Sequence, residues 1–322
     1  MQPYSSSPAR LLVALALLLA ACASPPASPS AAPSLDPVTS ASAVPPTPVT
    51  VELIDDEDTT VLISGTPQAI VSLTPAATEI LFAIGAGDRV VAKVDDIAPY
   101  PPEADRLPIV ATFEGTDVEK IVGLGADLVI AGGGGFTPPD AIAQMRGLGI
   151  PVLVVYADDI EAAFHDIELI GDAAGAGDAA RALADSMHEA IDELAALVSD
   201  LPKPRAFYEI DASNAIYTPA EDSVYTEMLR LAGGDPITTD ASYVISLERL
   251  VAADPEIILL GDGAYGVTPE IVAARPGWGS ITAVVDGAIR IVDDVVVTRP
   301  GPRLVDGLRA LIAAIHPEVA LP

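Results

Sequence analysis

The chain has 322 residues, 46 acidic against 16 basic side chains, and a formal net charge of −30 at neutral pH. A surface of that sign repels phosphate backbones and anionic lipid headgroups, which excludes nucleic acid as a partner and charge-driven docking onto a membrane. A single cysteine, Cys22, allows no disulfide within the chain, so a hydrophobic core must hold the fold.

At the N-terminus Arg10 precedes an apolar run, Leu11 to Ala20, too short to span a bilayer comfortably, which ends at Leu19-Ala20-Ala21-Cys22. Residues 1–22 therefore read as an export signal with a small-residue cleavage site. Residues 23–50 are Pro, Ser, Ala and Thr with almost no bulky side chain, the composition of a disordered tether. The remaining length suits two modest domains, each with its own core. The expected division is an N-terminal lobe over 51–158, a helical linker over 159–199 and a C-terminal lobe over 200–322.

The first lobe alternates strands and helices. Strands are predicted at Thr59–Ile63, Ala69–Leu73, Arg89–Val94, Leu128–Ala131 and Pro151–Tyr156. Pro75 opens a helix to Ala83, stopped by Gly85 and Gly87. Thr116 with Glu119 three residues on has capping-box spacing, and Thr137-Pro138 is expected to cap a helix to about Gly147. A helix over 159–174 follows, broken at Gly175, then another to Ser199. In the second lobe strands are predicted near Arg205–Ile210, Ala215–Thr218, Ile257–Leu260 and Ala288–Val292. Helices are predicted near Val224–Leu231, Leu247–Ala253, Pro269–Ala274 and Pro302–Ile315. The fold class is α/β: two similar Rossmann-like lobes with mostly parallel sheets, joined by a long helix, with a cleft between them. A helical connector predicts small relative motion of the lobes.

One phrase occurs twice. Val118-Glu119-Lys120-Ile121-Val122 running to Gly132 aligns without a gap on Leu247-Glu248-Arg249-Leu250-Val251 running to Gly261. Each copy starts with an acid and a base, continues as a short helix and ends in a strand that stops at glycine, which marks duplicated architecture.

These landmarks resemble a family. Ile70 to Glu79, Tyr100-Pro101-Pro102-Glu103, the Glu-Lys-Ile-Val phrase and Arg275-Pro276-Gly277-Trp278 resemble the helical-backbone (class III) substrate-binding proteins of ABC importers for vitamin B12, ferric siderophores and haem. The likeness runs from about residue 68 to the C-terminus and is nearest in flavour to the cobalamin-binding member. Phe and Tyr stand where that member has tryptophans, so the chelate stays open between cobalamin or another corrinoid, a ferric siderophore and haem. Leu19 to Cys22 likewise resembles a bacterial lipobox, which implies a diacylated Cys22 and an exported protein anchored to the cell envelope.

The resemblance implies that Glu119 and Glu248 dock onto arginines of the permease. By spacing alone, both also fit first-turn acids that offset the helix dipole, and the two roles are compatible. Loops at the carboxyl ends of the strands should line the cleft. The candidate ligand contacts are Thr74, Pro75, Phe113, Gly134, Phe136, Tyr208, Tyr217, Tyr243 and Arg299. For a chelate the implied partners are the permease and ATPase subunits, with the protein itself a monomer.

The tetraglycine Gly132–Gly135 lacks the Lys-Ser/Thr ending of a phosphate loop and reads as a close backbone turn. His165, His188 and His316 are scattered, so no metal site is expected, nor any cofactor beyond metal inside a bound chelate. No histidine falls at a predicted loop mouth to serve as a base, so no catalytic residue is expected. The rival readings are a two-lobed extracytoplasmic enzyme and an adhesion or signalling lipoprotein with an empty cleft.

Overall fold

A computed structural model describes residues 49–238 and 240–322. The export signal, Cys22 and nearly all of the expected tether lie outside the described residues. The N-terminal lobe opens with an antiparallel pair, β1 (Thr50–Ile54) and β2 (Thr60–Ser64), and β1 starts at the last residue assigned to the tether. Next come β3 (Ile70–Ser72), α1 (Pro75–Ala83), β4 (Val90–Val94), β5 (Ile109–Thr112), β6 (Gly115–Thr116), α2 (Val118–Gly123), β7 (Leu128–Gly132), α3 (Pro139–Gly147) and β8 (Val152–Val155). The linker is α4 (Ile160–Ala174) and α5 (Gly177–Val198). The C-terminal lobe contains β9 (Arg205–Glu209), β10 (Ile216–Tyr217), α6 (Val224–Leu231), β11 (Asp235–Pro236), β12 (Val244–Ile245), α7 (Leu247–Ala253), β13 (Ile257–Leu260), α8 (Pro269–Ala273), α9 (Thr282–Val285), β14 (Ile289–Ile291), α10 (Asp294–Thr298) and α11 (Leu304–Ile315).

The N-terminal sheet has the order β6-β5-β4-β3-β7-β8, parallel except for β6, and the C-terminal sheet has the order β11-β9-β13-β14, parallel throughout. The second sheet thus repeats the β4-β3-β7-β8 core of the first. Strands β3, β7, β8 and β13 are buried along their whole length, as parallel strands covered on both faces must be.

One hydrophobic core runs through both lobes, from Ile63 and Leu81 through Ile167, Ile191 and Leu308 to Tyr208 and Leu259. Helices α1, α4, α5, α6 and α11 supply its middle layer. Separate clusters cover the outer faces, α2 and α3 on one sheet and α7, α8 and α9 on the other. The chain passes between lobes through α4 and α5, which cross so closely that a Cβ on Gly171 would stand 2.2 Å from the Ala180 Cβ. The core that includes both connecting helices is shared by the two lobes.

Three local expectations are corrected. The N-cap of α2 is Asp117, whose Oδ1 accepts from the Lys120 amide at 2.9 Å, while Thr116 belongs to β6. Glu119 is therefore not the far half of a capping box. At α3 Thr137 does not cap; its hydroxyl accepts from the Gly132 amide at 3.0 Å and closes the glycine turn. Helix α10 occupies a stretch assigned to no element.

Candidate functional site

The carboxyl ends of β3, β7 and β8, the inner face of α4 and the N-terminal ends of α6 and α10 enclose a cavity of about 470 Å³ between the lobes. Its N-terminal wall begins at the β3–α1 junction. There Thr74 is extended and its hydroxyl accepts from the Ala77 amide at 3.0 Å, while Pro75 fills the first helical position, where no amide is needed. Gly132 and Gly133 continue the wall. A Cβ on Gly132 would lie 2.8 Å from Thr74 Cγ2 and 3.0 Å from the Phe136 ring, so β7 can end beneath these side chains only as glycine.

Tyr156 follows β8 and is held from behind by the β1–β2 turn. Its amide donates to Asp56 Oδ2 at 2.5 Å. Beside it Asp55, buried, pairs with Arg146 at 2.6 Å and accepts from the Val154 amide at 3.2 Å. The β1–β2 hairpin, of which the sequence reading placed β2 but not β1, therefore braces the cleft floor.

Asp166 of α4 forms part of that floor. It is only 5% exposed, and its Oδ1 has no hydrogen-bond partner among the described residues. Burial first, then hydrogen bonding and charge from Asp56 and charge from Asp158, push its pKa up to about 9, so it is protonated at neutral pH. From the C-terminal lobe come Tyr225, Asp294, Thr298 and Arg299. The Tyr208 hydroxyl donates to Asp294 Oδ1 at 2.7 Å, and the Tyr208 and Tyr225 rings meet edge to face, 5.7 Å apart. Burial, followed by the nearby Asp294 charge, raises the Tyr225 phenol to about 12. Burial raises Asp294 as well, against the Tyr208 hydrogen bond that lowers it.

Arg299 is the one cationic side chain lining the cavity among the described residues, and it is already engaged. Its Nη1 donates to Glu79 Oε1 at 2.6 Å, and its two terminal nitrogens reach Asp96 at 2.9 and 3.0 Å. Arg303 grips the same glutamate at 2.6 and 2.8 Å and lies over the Tyr100 ring at 4.5 Å. Glu79 and Asp96 belong to one lobe and both arginines to the other, so the cluster is an ionic clamp across the interface.

Of the predicted contacts, the structure brings Thr74, Pro75, Phe136 and Arg299 into the cavity wall. Gly134 lies just behind, under the Tyr156 ring. Phe113 is fully exposed (104%) at the β5–β6 turn, and Tyr217 and Tyr243 are partly exposed on the β10–β12 ribbon beyond the end of β9; none of the three lines the cavity. Tyr208 is corrected: it lies inside a central strand, fully buried, and touches the site through Asp294 and the Tyr225 ring. Sequence reasoning missed Tyr156, Asp166, Tyr225, Asp294 and Thr298. Tyr156 ended a predicted strand and fell under the carboxyl-end rule already in use. Asp166 fell among Ala163, Phe164, Ile167 and Ile170, a carboxylate on the apolar stripe of a predicted helix.

An enclosed cleft between two α/β lobes, braced by helices, is the arrangement of binding proteins. The sequence profile of the periplasmic binding proteins matches residues 70–296. The chain belongs to that family. Among curated relatives, the uncharacterized ABC transporter substrate-binding lipoprotein YvrC of Bacillus subtilis is 34% identical over 278 residues, 84% of this chain and 86% of its own length. The vitamin B12-binding protein BtuF of Vibrio cholerae superposes with a TM-score of 0.66 at 25% identity, covering 77% of this chain and 96% of its own. The haem-binding protein RhuT of Roseiflexus sp. RS-1 superposes with a TM-score of 0.68 at 25% identity, covering 78% and 100%.

In this periplasmic binding protein the two phrase glutamates occupy equivalent places. Asp117 caps α2 and Ser246 caps α7, so Glu119 and Glu248 each follow their cap by two residues, and both are exposed. In α7 the Glu248 backbone amide, then the Ser246 hydroxyl, hold its carboxyl below the usual value.

Proposed function

We propose that this protein is the substrate-binding component of an ABC importer, lipid-anchored through Cys22 outside the cytoplasmic membrane, and that it carries cobalamin or a related corrinoid. The observation that carries the reading is an aromatic and apolar cleft whose lining arginine is fully committed to Glu79 and Asp96. An anionic siderophore or haem propionate calls for free guanidinium groups, which pair with carboxylates bidentately. Arg299 and Arg303 are already paired in that way. Phe136 and Tyr156 in the cavity wall, each more than half exposed, offer ring surface to a broad flat macrocycle at low entropic cost. Glu119 and Glu248 form a two-point latch for basic residues of the permease, favouring a fixed orientation and a fast encounter. The ligand is handed over unchanged.

Calorimetric titration of residues 49–322 with cyanocobalamin tests the reading. One saturating site at micromolar affinity or tighter supports it, and a flat response beside tight haem binding refutes it.

A further inference from the structure

The tetraglycine turn and the β1–β2 hairpin meet at one residue of the cavity wall, Tyr156. The peptide unit that joins Val155 to Tyr156 is gripped on both edges. Its carbonyl accepts from the Gly133 amide at 3.0 Å, and its N–H donates to Asp56 Oδ2 at 2.5 Å. The Asp56 amide donates in turn to the Val154 carbonyl at 3.1 Å, so this hairpin residue holds the end of β8 at two points. A planar peptide fixed from both sides fixes the direction in which the next Cα–Cβ bond leaves the backbone.

That bond runs across the glycine turn. A Cβ on Gly133 would stand 3.0 Å from the Tyr156 Cβ, and one on Gly134 would stand 3.0 Å from the ring at Cε2. Gly134 has φ +61° and Gly135 φ +83°, and the Thr137 hydroxyl closes the turn on the Gly132 amide at 3.0 Å. The bare backbone of Gly133 and Gly134 is thus a seat under the ring. The rest of the ring is free, for Tyr156 is 55% exposed and lines the cavity. An exposed tyrosine at a strand end ordinarily samples several rotamers, and a ligand that needs one of them loses affinity by ordering it. Here a hairpin residue 100 positions earlier and a glycine turn order it in advance.

Building on the importer reading, we infer that Asp56, Gly133 and Gly134 are positioning residues that hold Tyr156 as a preformed aromatic platform, and that a ligand with a flat apolar face packs on this ring. Asp55 has a different duty. Buried, it accepts from the Glu57 and Thr59 amides at 3.1 and 2.8 Å and from the Arg146 guanidinium at 2.6 Å, so it builds the turn and secures it to the lobe. Asp56 is exposed, and its amide and carboxylate both reach out of the hairpin to β8 and Tyr156.

The test uses residues 49–322 at pH 7, with cyanocobalamin and haem as probes and 3-fluorotyrosine labelling to observe the ring. The Tyr156 fluorine resonance is identified by its loss in Tyr156→Phe. Calorimetry compares the unaltered protein, Asp56→Ala, Asp56→Asn, Tyr156→Ala and the double variant Asp56→Ala with Tyr156→Ala, and circular dichroism verifies that each is folded. Tyr156→Ala should weaken cyanocobalamin binding about tenfold, and Asp56→Ala about three- to tenfold, the cost of ordering one side chain on binding. Asp56→Asn, whose amide oxygen still accepts from the Tyr156 N–H, should stay within about twofold. The double variant should bind no more weakly than Tyr156→Ala, because Asp56 acts through the ring. In the free protein Asp56→Ala and Gly133→Ala should each shift the Tyr156 resonance, and Asp56→Asn should leave it in place.

An unmoved resonance in both Asp56→Ala and Gly133→Ala, or unchanged affinity of Asp56→Ala, would overturn the positioning role. So would an undiminished loss on adding Asp56→Ala to Tyr156→Ala, which would route the effect through Asp166, the other side chain that Asp56 touches. Haem bound in place of cyanocobalamin, with the same pattern of losses, would sink the corrinoid reading and leave the platform standing. No binding of either probe would overturn both.

Discussion

Replacing Asp166 by Asn should stabilise the protein at neutral pH. In the folded chain the Asp166 pKa is pushed from its usual 3.8 to about 9, chiefly by burial, so between those values the native state holds a proton that the unfolded state has released. A group whose pKa is raised on folding favours the native state fully below the unfolded value and loses that contribution as pH rises toward the folded one. Each unit is worth about 1.36 kcal/mol. At pH 7, roughly three units above the unfolded value, the accumulated loss is at most about 4 kcal/mol. Water in the cleft and shifts of the Asp56 side chain reduce it, so about 2–4 kcal/mol is the expected gain on removing the titration. Asn keeps the volume and the hydrogen-bonding edge. Asp56 and Asp158, the acids that act on Asp166, are present in both proteins. Urea unfolding followed by circular dichroism at pH 5, 7 and 9 gives the measurement. The unaltered protein should lose stability relative to Asp166→Asn as pH rises through this window, and the difference should level off above about 9. Parallel pH profiles, or an Asn variant less stable at pH 7, would refute a protonated Asp166.

The other predictions concern the clamp, the latch and the anchor. Glu79→Gln removes the carboxylate that both Arg299 and Arg303 share inside the interface, and should cost about 3–5 kcal/mol by leaving buried guanidinium charge uncompensated; thermal unfolding reads this as a lower Tm. Glu119→Ala with Glu248→Ala should abolish uptake while ligand affinity in solution stays within about twofold, since both lie outside the cavity wall; weaker binding by the purified double variant would refute the docking role. Cys22→Ser should move the protein out of the membrane fraction into the soluble one, and unchanged retention on fractionation would sink the lipid anchor.

Much of this architecture could be read from local pattern because local pattern and tertiary demand agree. Pro75–Ala83 has proline at its start and glycines past its end, and its bounds coincide with α1. The central strands were visible as short apolar runs because parallel strands covered on both faces must be apolar throughout. Helix α10 was not legible: Val295, Val296 and Val297 favour a strand by propensity. Packing decides otherwise, for α11 approaches so closely that a Cβ on Gly307 would stand 2.4 Å from the Val296 carbonyl oxygen. Strand β1 alternates as a strand should, yet adjoins a Pro/Thr tether that masks its start. The state of Arg299 was beyond any local signal. Its residue type suggested a ligand contact, while its partner Glu79 lies 220 positions earlier. Charge pairing across lobes becomes visible only once the chain has closed.

The duplicated phrase holds each lobe in the same way, and the site arises where the copies diverge. Asp127 accepts from the Gln68 and Ala69 amides at 2.7 and 2.8 Å, and its own amide donates to the Ala69 carbonyl at 3.0 Å. The equivalent Glu256 accepts from the Arg205 amide at 3.0 Å and donates to the Arg205 carbonyl at 2.8 Å. Each acid thus ties the phrase to the first residues of the neighbouring central strand, fixing β7 against β3 and β13 against β9. Strand β7 ends in Gly132 and β13 is followed by Gly261, each glycine overlain by side chains, Thr74 above Gly132, and Tyr208 with Asp294 above Gly261. One residue later the copies part. Gly133 lines the cavity as bare backbone, whereas Asp262 turns to the far side of its sheet, where burial and then Glu209 raise it to about 7 beside the Glu209–Arg275 pair. The N-terminal lobe consequently presents glycine backbone, Thr74 and the Phe136 and Tyr156 rings to the cavity, and the C-terminal lobe Asp294, Thr298 and Tyr225, so the duplicated phrase gives the cleft two unequal walls.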